Sequence, residues 1–307
     1  MVSWWLSFVA LLLPLLAAAN EIDSLNFGAP YINQDHLNHN YQFGGSAILS
    51  KSGLELTGDF PGQQGWIISR AHDLPDDFAV EISFSISGAA RVLYGDGMAI
   101  WFLEGNEQLH QGPVFGVQDR LKGTGVIIDT YRNNRPGKAF PLLVVYQNDG
   151  SRTYDVDNDG LANELASASL RGLYNAAQNP CKIRISGQKG GNIVVSVNYR
   201  SDRWETVVNQ PFNFNGARRI AISASTGELS SSNIVTGISV KKLASLSERE
   251  QLETAAQARV PQLPKPSSKS SWFRSLIKWM LYIVAIYGFL RLYKQYSRKM
   301  RSRQYLP

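Results

Sequence analysis

Three groups of oxygen-bearing residues stand out in this 307-residue chain. Asp96 lies in Tyr94-Gly95-Asp96-Gly97, a carboxylate in a glycine-flanked turn just ahead of the apolar run Met98-Ala99-Ile100-Trp101-Phe102. Asp129-Thr130-Tyr131-Arg132-Asn133 closes a second apolar run, and Asp159 ends the acidic stretch Asp155-Val156-Asp157-Asn158-Asp159. Asp129, Asn133 and Asp159 are hard oxygen donors, and the Tyr131 carbonyl offers another. Calcium takes such ligands from irregular loops, whereas magnesium and zinc are less suited to this set. The same Asp and Asn also suit plain turn capping. The acidic stretch imitates the opening of an EF-hand loop, but Ala166 stands at the twelfth position, where that loop needs a bidentate Glu. The EF-hand reading fails.

The elements that must position these residues read as strands. Phe78 to Ile86 alternates apolar and polar residues, as a half-buried strand does. Gly125-Val126-Ile127-Ile128 and Leu142-Leu143-Val144-Val145-Tyr146 are continuous apolar runs suited to a sandwich interior. Ile183 to Ile185, Ile193 to Tyr199 and Ile220 to Ala224 continue the series, separated by Gly/Asn/Asp turns such as Asn148-Asp149-Gly150. Many short strands with almost no helical period predict an all-β sandwich from about Ile22 to Leu243. One helix is expected inside it, over Asn163 to Leu173.

Residues 1–19 read as a secretory signal: Leu6 to Leu16 is mostly apolar, and Ala17-Ala18-Ala19 supplies small residues for cleavage. Residues 20–244 form the expected luminal domain. A polar, Pro/Ser/Lys-rich stalk occupies 245–271, its first part potentially helical from Ser245 to Gln257. A transmembrane helix is expected over 272–293, with Trp272, Trp279 and Tyr293 suited to the aromatic belts. A basic tail fills 294–307. Arg291, Lys294, Arg298, Lys299, Arg301 and Arg303 follow Leu290, and the other 25 basic residues equal the 25 acidic ones, so the net charge of +6 belongs to this end. That asymmetry predicts a type I single-pass orientation with a cytosolic tail, contact with an anionic leaflet, and no nucleic-acid groove on the main domain. Cys181 is the lone cysteine, so no intramolecular disulfide forms, and its expected place is in the core.

Taken together, the Asp96, Gly112-Pro113-Val114-Phe115-Gly116, Asp129-to-Asn133 and Asp159 segments resemble the leguminous-type (L-type) lectin domains of secretory-pathway membrane lectins. The resemblance runs from roughly Leu25 to Leu243. It implies a concanavalin-like antiparallel β-sandwich (jelly roll) carried by the single C-terminal transmembrane helix. It implies calcium held by Asp129, Tyr131, Asn133 and Asp159, and carbohydrate held by Asp96, Asn133 and the turn Gly227-Glu228-Leu229. It also implies a cis Gly95–Asp96 peptide. The metal would fix the loops rather than touch sugar. The implied function is calcium-dependent binding of high-mannose glycoproteins by a cargo receptor of the ER, ER–Golgi intermediate compartment or Golgi. The terminal Tyr305-Leu306 would meet vesicle coat proteins.

Two positions depart from the family pattern. Val156 stands where high-mannose-specific members carry a His, and valine can neither donate nor accept a hydrogen bond. Ala168 and about Val207 stand where the animal proteins have cysteines. Val156 opens an alternative: a lectin-fold adaptor with weak or no sugar binding that engages cargo or a partner lectin through protein contacts. Glycoside hydrolases share the sandwich fold, but Glu21-Ile22-Asp23-Ser24-Leu25-Asn26 has Asn where the hydrolase pattern needs its second Glu. No enzyme is expected.

Overall fold

The contrast between alternating and continuous apolar strands is the key to the architecture. β5 (Phe78–Ser87) turns Phe78, Val80, Ile82, Phe84 and Ile86 into the core and leaves Ala79, Glu81 and Ser83 half-buried on the other face. β6 (Gly97–Glu104), β7 (Lys122–Asp129) and β8 (Leu142–Asp149) are buried on both faces. Met98, Ile100, Phe102, Val126, Ile128, Leu143 and Val145 meet the opposite sheet. On the other face Ala99, Trp101, Leu103, Ile127, Leu142, Val144 and Tyr146 pack beneath loops carrying Leu109, Val114, Phe115, Val117, Leu121 and Tyr154. Loops that cover the second face remove the need for a polar alternation.

The structure, a computed structural model, describes residues 21–32, 34, 38–178, 180–201, 203–214, 216–244 and 270–301. The leader expected at 1–19, the potentially helical Ser245 to Gln257 and the chain end Tyr305-Leu306 lie outside these residues. The chain divides into two units, Met1–Glu250 and Gln251–Pro307.

In the first unit the remaining strands are β1 (Tyr41–Gly45), β2 (Ile48–Ser50), β3 (Gly53–Thr57), β4 (Gln64–Ser69), β9 (Glu164–Ser169), β10 (Cys181–Gly187), β11 (Asn192–Asn198), β12 (Glu205–Pro211), β13 (Ala217–Ser225) and β14 (Ser232–Lys242). They form two seven-stranded antiparallel sheets. One runs β1-β4-β13-β6-β7-β8-β9, the other β12-β11-β10-β5-β14-β3-β2. The core between them includes Phe102, stacked on Phe78 at 5.2 Å and edge-on to Phe214 at 5.2 Å. Cys181 is buried and free at the start of β10.

The expected helix over Asn163 to Leu173 does not form. Its residues build β9, an edge strand paired with β8 from Leu142↔Ser169 to Tyr146↔Glu164, followed by a turn at Leu170 to Leu173. Ala- and Ser-rich sequence has no strong strand preference, and pairing with an already buried neighbour decides the outcome. β9 lies against β12, the edge strand of the other sheet, so Ala168 and Val207 sit on facing edges.

In the second unit α1 (Ser270–Arg301) is one 32-residue helix, roughly 48 Å long at 1.5 Å per residue. Its stretch Leu276–Gln295 has the length and hydropathy of a membrane span and overlaps the expected 272–293. Helix continues into the basic segment because Leu292 to Arg301 contains neither Gly nor Pro.

The aromatic packing makes a stability prediction. Phe102→Ala leaves a cavity between the sheets and costs about 3–5 kcal/mol. Equilibrium urea unfolding followed by tryptophan fluorescence measures it, and a loss under about 1 kcal/mol contradicts the packing described.

Candidate functional site

Strand register brings the chemistry-bearing residues to one end of the first sheet. Gly97, the first residue of β6, pairs with Asp129 at the end of β7 and with Ser225 at the end of β13. Leu142, which opens β8, pairs with Asp129 on its other side. Asp96 therefore emerges between the chain ends that carry Asp129 and Ser225. Gly97 is the residue that allows this close approach: its φ is +128°, and a Cβ there would lie 2.1 Å from the Ile128 carbonyl.

The Asp96 arm is held by backbone and side chain alike. The Gly95–Asp96 peptide is cis. Asp96 N–H donates to the Ser225 carbonyl at 3.0 Å, and its own carbonyl accepts from Thr130 N–H at 2.9 Å. Ser225 Oγ donates to Asp96 Oδ2 at 3.1 Å, and Ser231 Oγ donates to the Gly95 carbonyl at 3.2 Å. Burial pushes the Asp96 carboxyl above its ordinary pKa, opposed by hydrogen bonds from Ser225 and the Gly227 backbone. The turn containing Gly227 is in turn tied to a neighbouring loop: Gly62 N–H donates to Gly227 O at 3.0 Å, and Thr226 Oγ1 donates to Phe60 O at 2.7 Å. Gly227 and Glu228 are exposed, and Leu229 is half-buried beside Gly95.

Asp129 and Asp159 meet below this arm. Asp129 is 4% exposed and Asp159 fully buried. Asp129 Oδ1 accepts from Tyr131 N–H at 3.0 Å, which orients the Tyr131 backbone over the site. Asp159 Oδ1 accepts from both the backbone N–H of Asn133, at 3.0 Å, and its side-chain Nδ2, at 2.9 Å. The same Nδ2 donates to the Val156 carbonyl at 3.0 Å. Asp159 adopts the left-handed conformation, φ 52°, and its carbonyl accepts from Arg135 Nη1 at 3.1 Å. Arg135, itself buried, forms an ion pair with Glu164. Asp155 faces away from this set, capping Asn158 within a short 3-10 turn.

The residues present fit a hard cation. Asp159 Oδ2 is buried without a hydrogen-bond partner. Burial and then the neighbouring Asp159 charge hold the Asp129 carboxyl well above the usual carboxylate range. A divalent ion between them would relieve both penalties. Among the described residues no cluster of three or more His, Cys, Asp or Glu side chains could hold a metal. A cation here would rest on two carboxylates completed by an amide and a carbonyl, an all-oxygen set appropriate to calcium.

Above the acidic pair lies a cleft of about 150 Å³, lined by Asp96, Pro113, Phe115, Asp129, Tyr131, Asn133, Tyr154, Val156 and Ser225. Four of the sequence-derived residues, Asp96, Asp129, Tyr131 and Asn133, share it, with Asp159 beneath through its bonds to Asn133. Gly227 reaches it only through its bond to Asp96, and Glu228 and Leu229 stand outside the lining. Ser225 carried no signal in the sequence, since its place depends on strand register. Val156 is 46% exposed at the rim. Glu21, the residue that imitates a hydrolase carboxylate, is paired with Lys241 at 3.3 Å and is absent from the cleft lining.

Comparison with known proteins agrees with this geometry. The sequence profile of the legume-like lectin family matches residues 20–250. An L-type lectin-like domain-containing protein of Schizosaccharomyces pombe is 31% identical over 304 residues, 96% of this chain and 95% of that one. The human VIP36-like protein is 34% identical over 135 residues, 42% of this chain and 38% of that one. The structure superposes on the VIP36 exoplasmic/lumenal domain in its Ca2+/Man3GlcNAc-bound form with a TM-score of 0.67 and 25% identity, covering 73% of this chain and 91% of that one. The Emp47p carbohydrate recognition domain shares the fold, with a TM-score of 0.62 and 20% identity, covering 74% and 99%. By profile, full-length similarity and fold, the chain belongs to the legume-like lectin family.

Proposed function

We propose that this protein is a calcium-dependent lectin that binds high-mannose glycans on glycoproteins and serves as a membrane cargo receptor between ER and Golgi. One observation carries the reading: a half-buried carboxylate, Asp96, is aimed into a cleft whose floor is a buried, mutually repelling pair of carboxylates. The floor would hold calcium through Asp129, Asp159, the Tyr131 carbonyl and the Asn133 side chain. In the structure the Asn133 amide presents Nδ2 to Asp159, so ligation through Oδ1 requires the amide to turn over. The bound ion would neutralise the floor and fix the 129–133 loop. Asp96, with one oxygen engaged by Ser225, would accept paired sugar hydroxyls as charge-assisted hydrogen bonds. Gly227, Glu228 and Leu229 would border the sugar on the Asp96 side.

The VIP36 domain crystallised with Ca2+ and Man3GlcNAc supports the ligand class, and the vesicular integral-membrane relatives support the membrane setting. A leader at 1–19, a stalk and the span in α1 would make the chain type I, lectin domain in the lumen. The basic tail would lie in the cytosol, within reach of vesicle coat proteins. The proposed chemistry is binding, with no bond made or broken.

Val156 favours one further reading, the adaptor that engages proteins rather than sugar. It places a half-exposed apolar group on the cleft rim where a polar contact would be needed.

Titration calorimetry with high-mannose oligosaccharide separates the two. The lectin reading expects binding that requires calcium and disappears in Asp96→Ala. Absence of heat at millimolar sugar, in folded calcium-loaded protein, overturns the lectin reading and favours the adaptor. Val156→His should tighten mannose binding by about 0.5–1.5 kcal/mol, two- to tenfold, by restoring one hydrogen bond. Because Val156 stands at the rim, the substitution needs no repacking, and unchanged affinity would show that this position is remote from the sugar.

A further inference from the structure

Three polar atoms in and around the cleft remain without use: Asp159 Oδ2, Thr130 Oγ1 and the Tyr154 hydroxyl are buried with no hydrogen-bond partner. The Tyr154 hydroxyl differs from the others in how firmly it is placed. Tyr154 is 5% exposed and lines the same cleft as Asp129 and Asn133. Its ring is wedged edge-on between Phe115, at 5.8 Å, and Tyr146, at 5.3 Å. Its backbone N–H is anchored on Asp119 Oδ1 at 3.0 Å. The phenol points under Gly160, the residue after Asp159, where a Cβ would come within 2.8 Å of the hydroxyl oxygen. The missing side chain at 160 gives the hydroxyl its room beside the acidic floor.

Burial, followed by the charges of Asp129 and Asp159, holds the phenol's pKa far above its ordinary value. A phenol keeps its proton at neutral pH and can donate, and this one lies beside Gly160, the residue that follows Asp159. A buried hydroxyl without a partner is destabilising, and Asp159 Oδ2, a buried carboxylate oxygen likewise without a partner, is the complementary acceptor.

We propose that Tyr154 is a positioning residue of the metal site: its hydroxyl donates to the Asp129–Asp159 carboxylate pair, directly or through one water, when a divalent cation draws that pair into place. The inference rests on the calcium reading above and extends it to a residue that is not itself a ligand. It has a consequence that a purely structural tyrosine lacks. Tyr154→Phe removes one oxygen and keeps the ring packing. In metal-free protein that oxygen has no partner, so its loss leaves the melting midpoint unchanged or raises it. In calcium the variant lacks a charge-assisted hydrogen bond, so the ion binds more weakly and adds less to the midpoint.

The test compares the full chain in detergent micelles, wild type and Tyr154→Phe. Calcium is titrated by calorimetry, and thermal melts are recorded with EDTA and with saturating calcium. The expected result is calcium binding weakened about tenfold, equivalent to about 1.4 kcal/mol, with a midpoint in EDTA no lower than wild type. Wild-type calcium affinity in the variant overturns the proposal. An equal fall of the midpoint in EDTA and in calcium also overturns it, because that is the signature of packing alone. Neither readout uses sugar. A wild-type chain that binds calcium but no glycan sinks the lectin reading and leaves this inference standing, whereas a chain that binds no calcium sinks both.

Discussion

The site depends on one geometric constraint, the register that sets Ser225, Gly97 and Asp129 side by side across β13, β6 and β7. A side chain at 97 would collide with the Ile128 carbonyl, and a one-residue slip would carry Asp129 to the other face of its strand. With the register fixed, Asp96 must leave β6 directly beside the loop that begins at Asp129. The hydrophobic patterning that buries β6 and β7 on both faces therefore also aims the polar residues at their ends. Fold and site share one cause, and it lies in the apolar residues rather than the acidic ones.

The acidic floor then imposes a demand of its own. Asp129 and Asp159 are buried together, while Arg135, the buried guanidinium nearby, donates to the Asp159 carbonyl and pairs with Glu164. Its charge anchors the loop and leaves the Asp159 Oδ2 atom without a bond. Burying like charges side by side opposes folding unless one is protonated or a cation intervenes. Under the calcium reading proposed above, an ion would complete these loops, since an ion that binds only the folded state adds its binding free energy to stability. Stability of the loops and readiness for ligand would then rise together.

The main features were legible in sequence for reasons that can be named. Asp96 and Asp129 could be read because carboxylates stand at the ends of unmistakable strands, Asn133 and Asp159 because the family resemblance implies these loop oxygens, and the structure brings the four together. Ser225 could not, because a serine at a strand end is ordinary until register places it on a carboxylate. Glu164 to Ser169 was misleading for the opposite reason: its local preference points to helix, and only pairing with β8 makes it a strand. The apolar segment near the C-terminus was evident as helix, but its C-terminal limit was not. Lys, Gln, Arg and Met sustain a helix as well as apolar residues do, so hydropathy and helix end at different places.

Val156 marks where the two halves of the site can diverge. Its carbonyl accepts from Asn133 and so helps position the acidic floor, a contribution that any residue's backbone can make. Its side chain stands at the rim of the cleft. Substitution here would leave that backbone hydrogen bond in place while changing the chemistry of the rim. Asp96 is held by a different set of bonds, to Ser225, Thr130 and Gly227, and does not depend on position 156 at all. On the lectin reading proposed above, calcium binding and glycan selectivity would rest on separable contacts. On the proposed reading, a change of side chain at 156 would alter the rim while leaving in place the backbone contact that supports the floor.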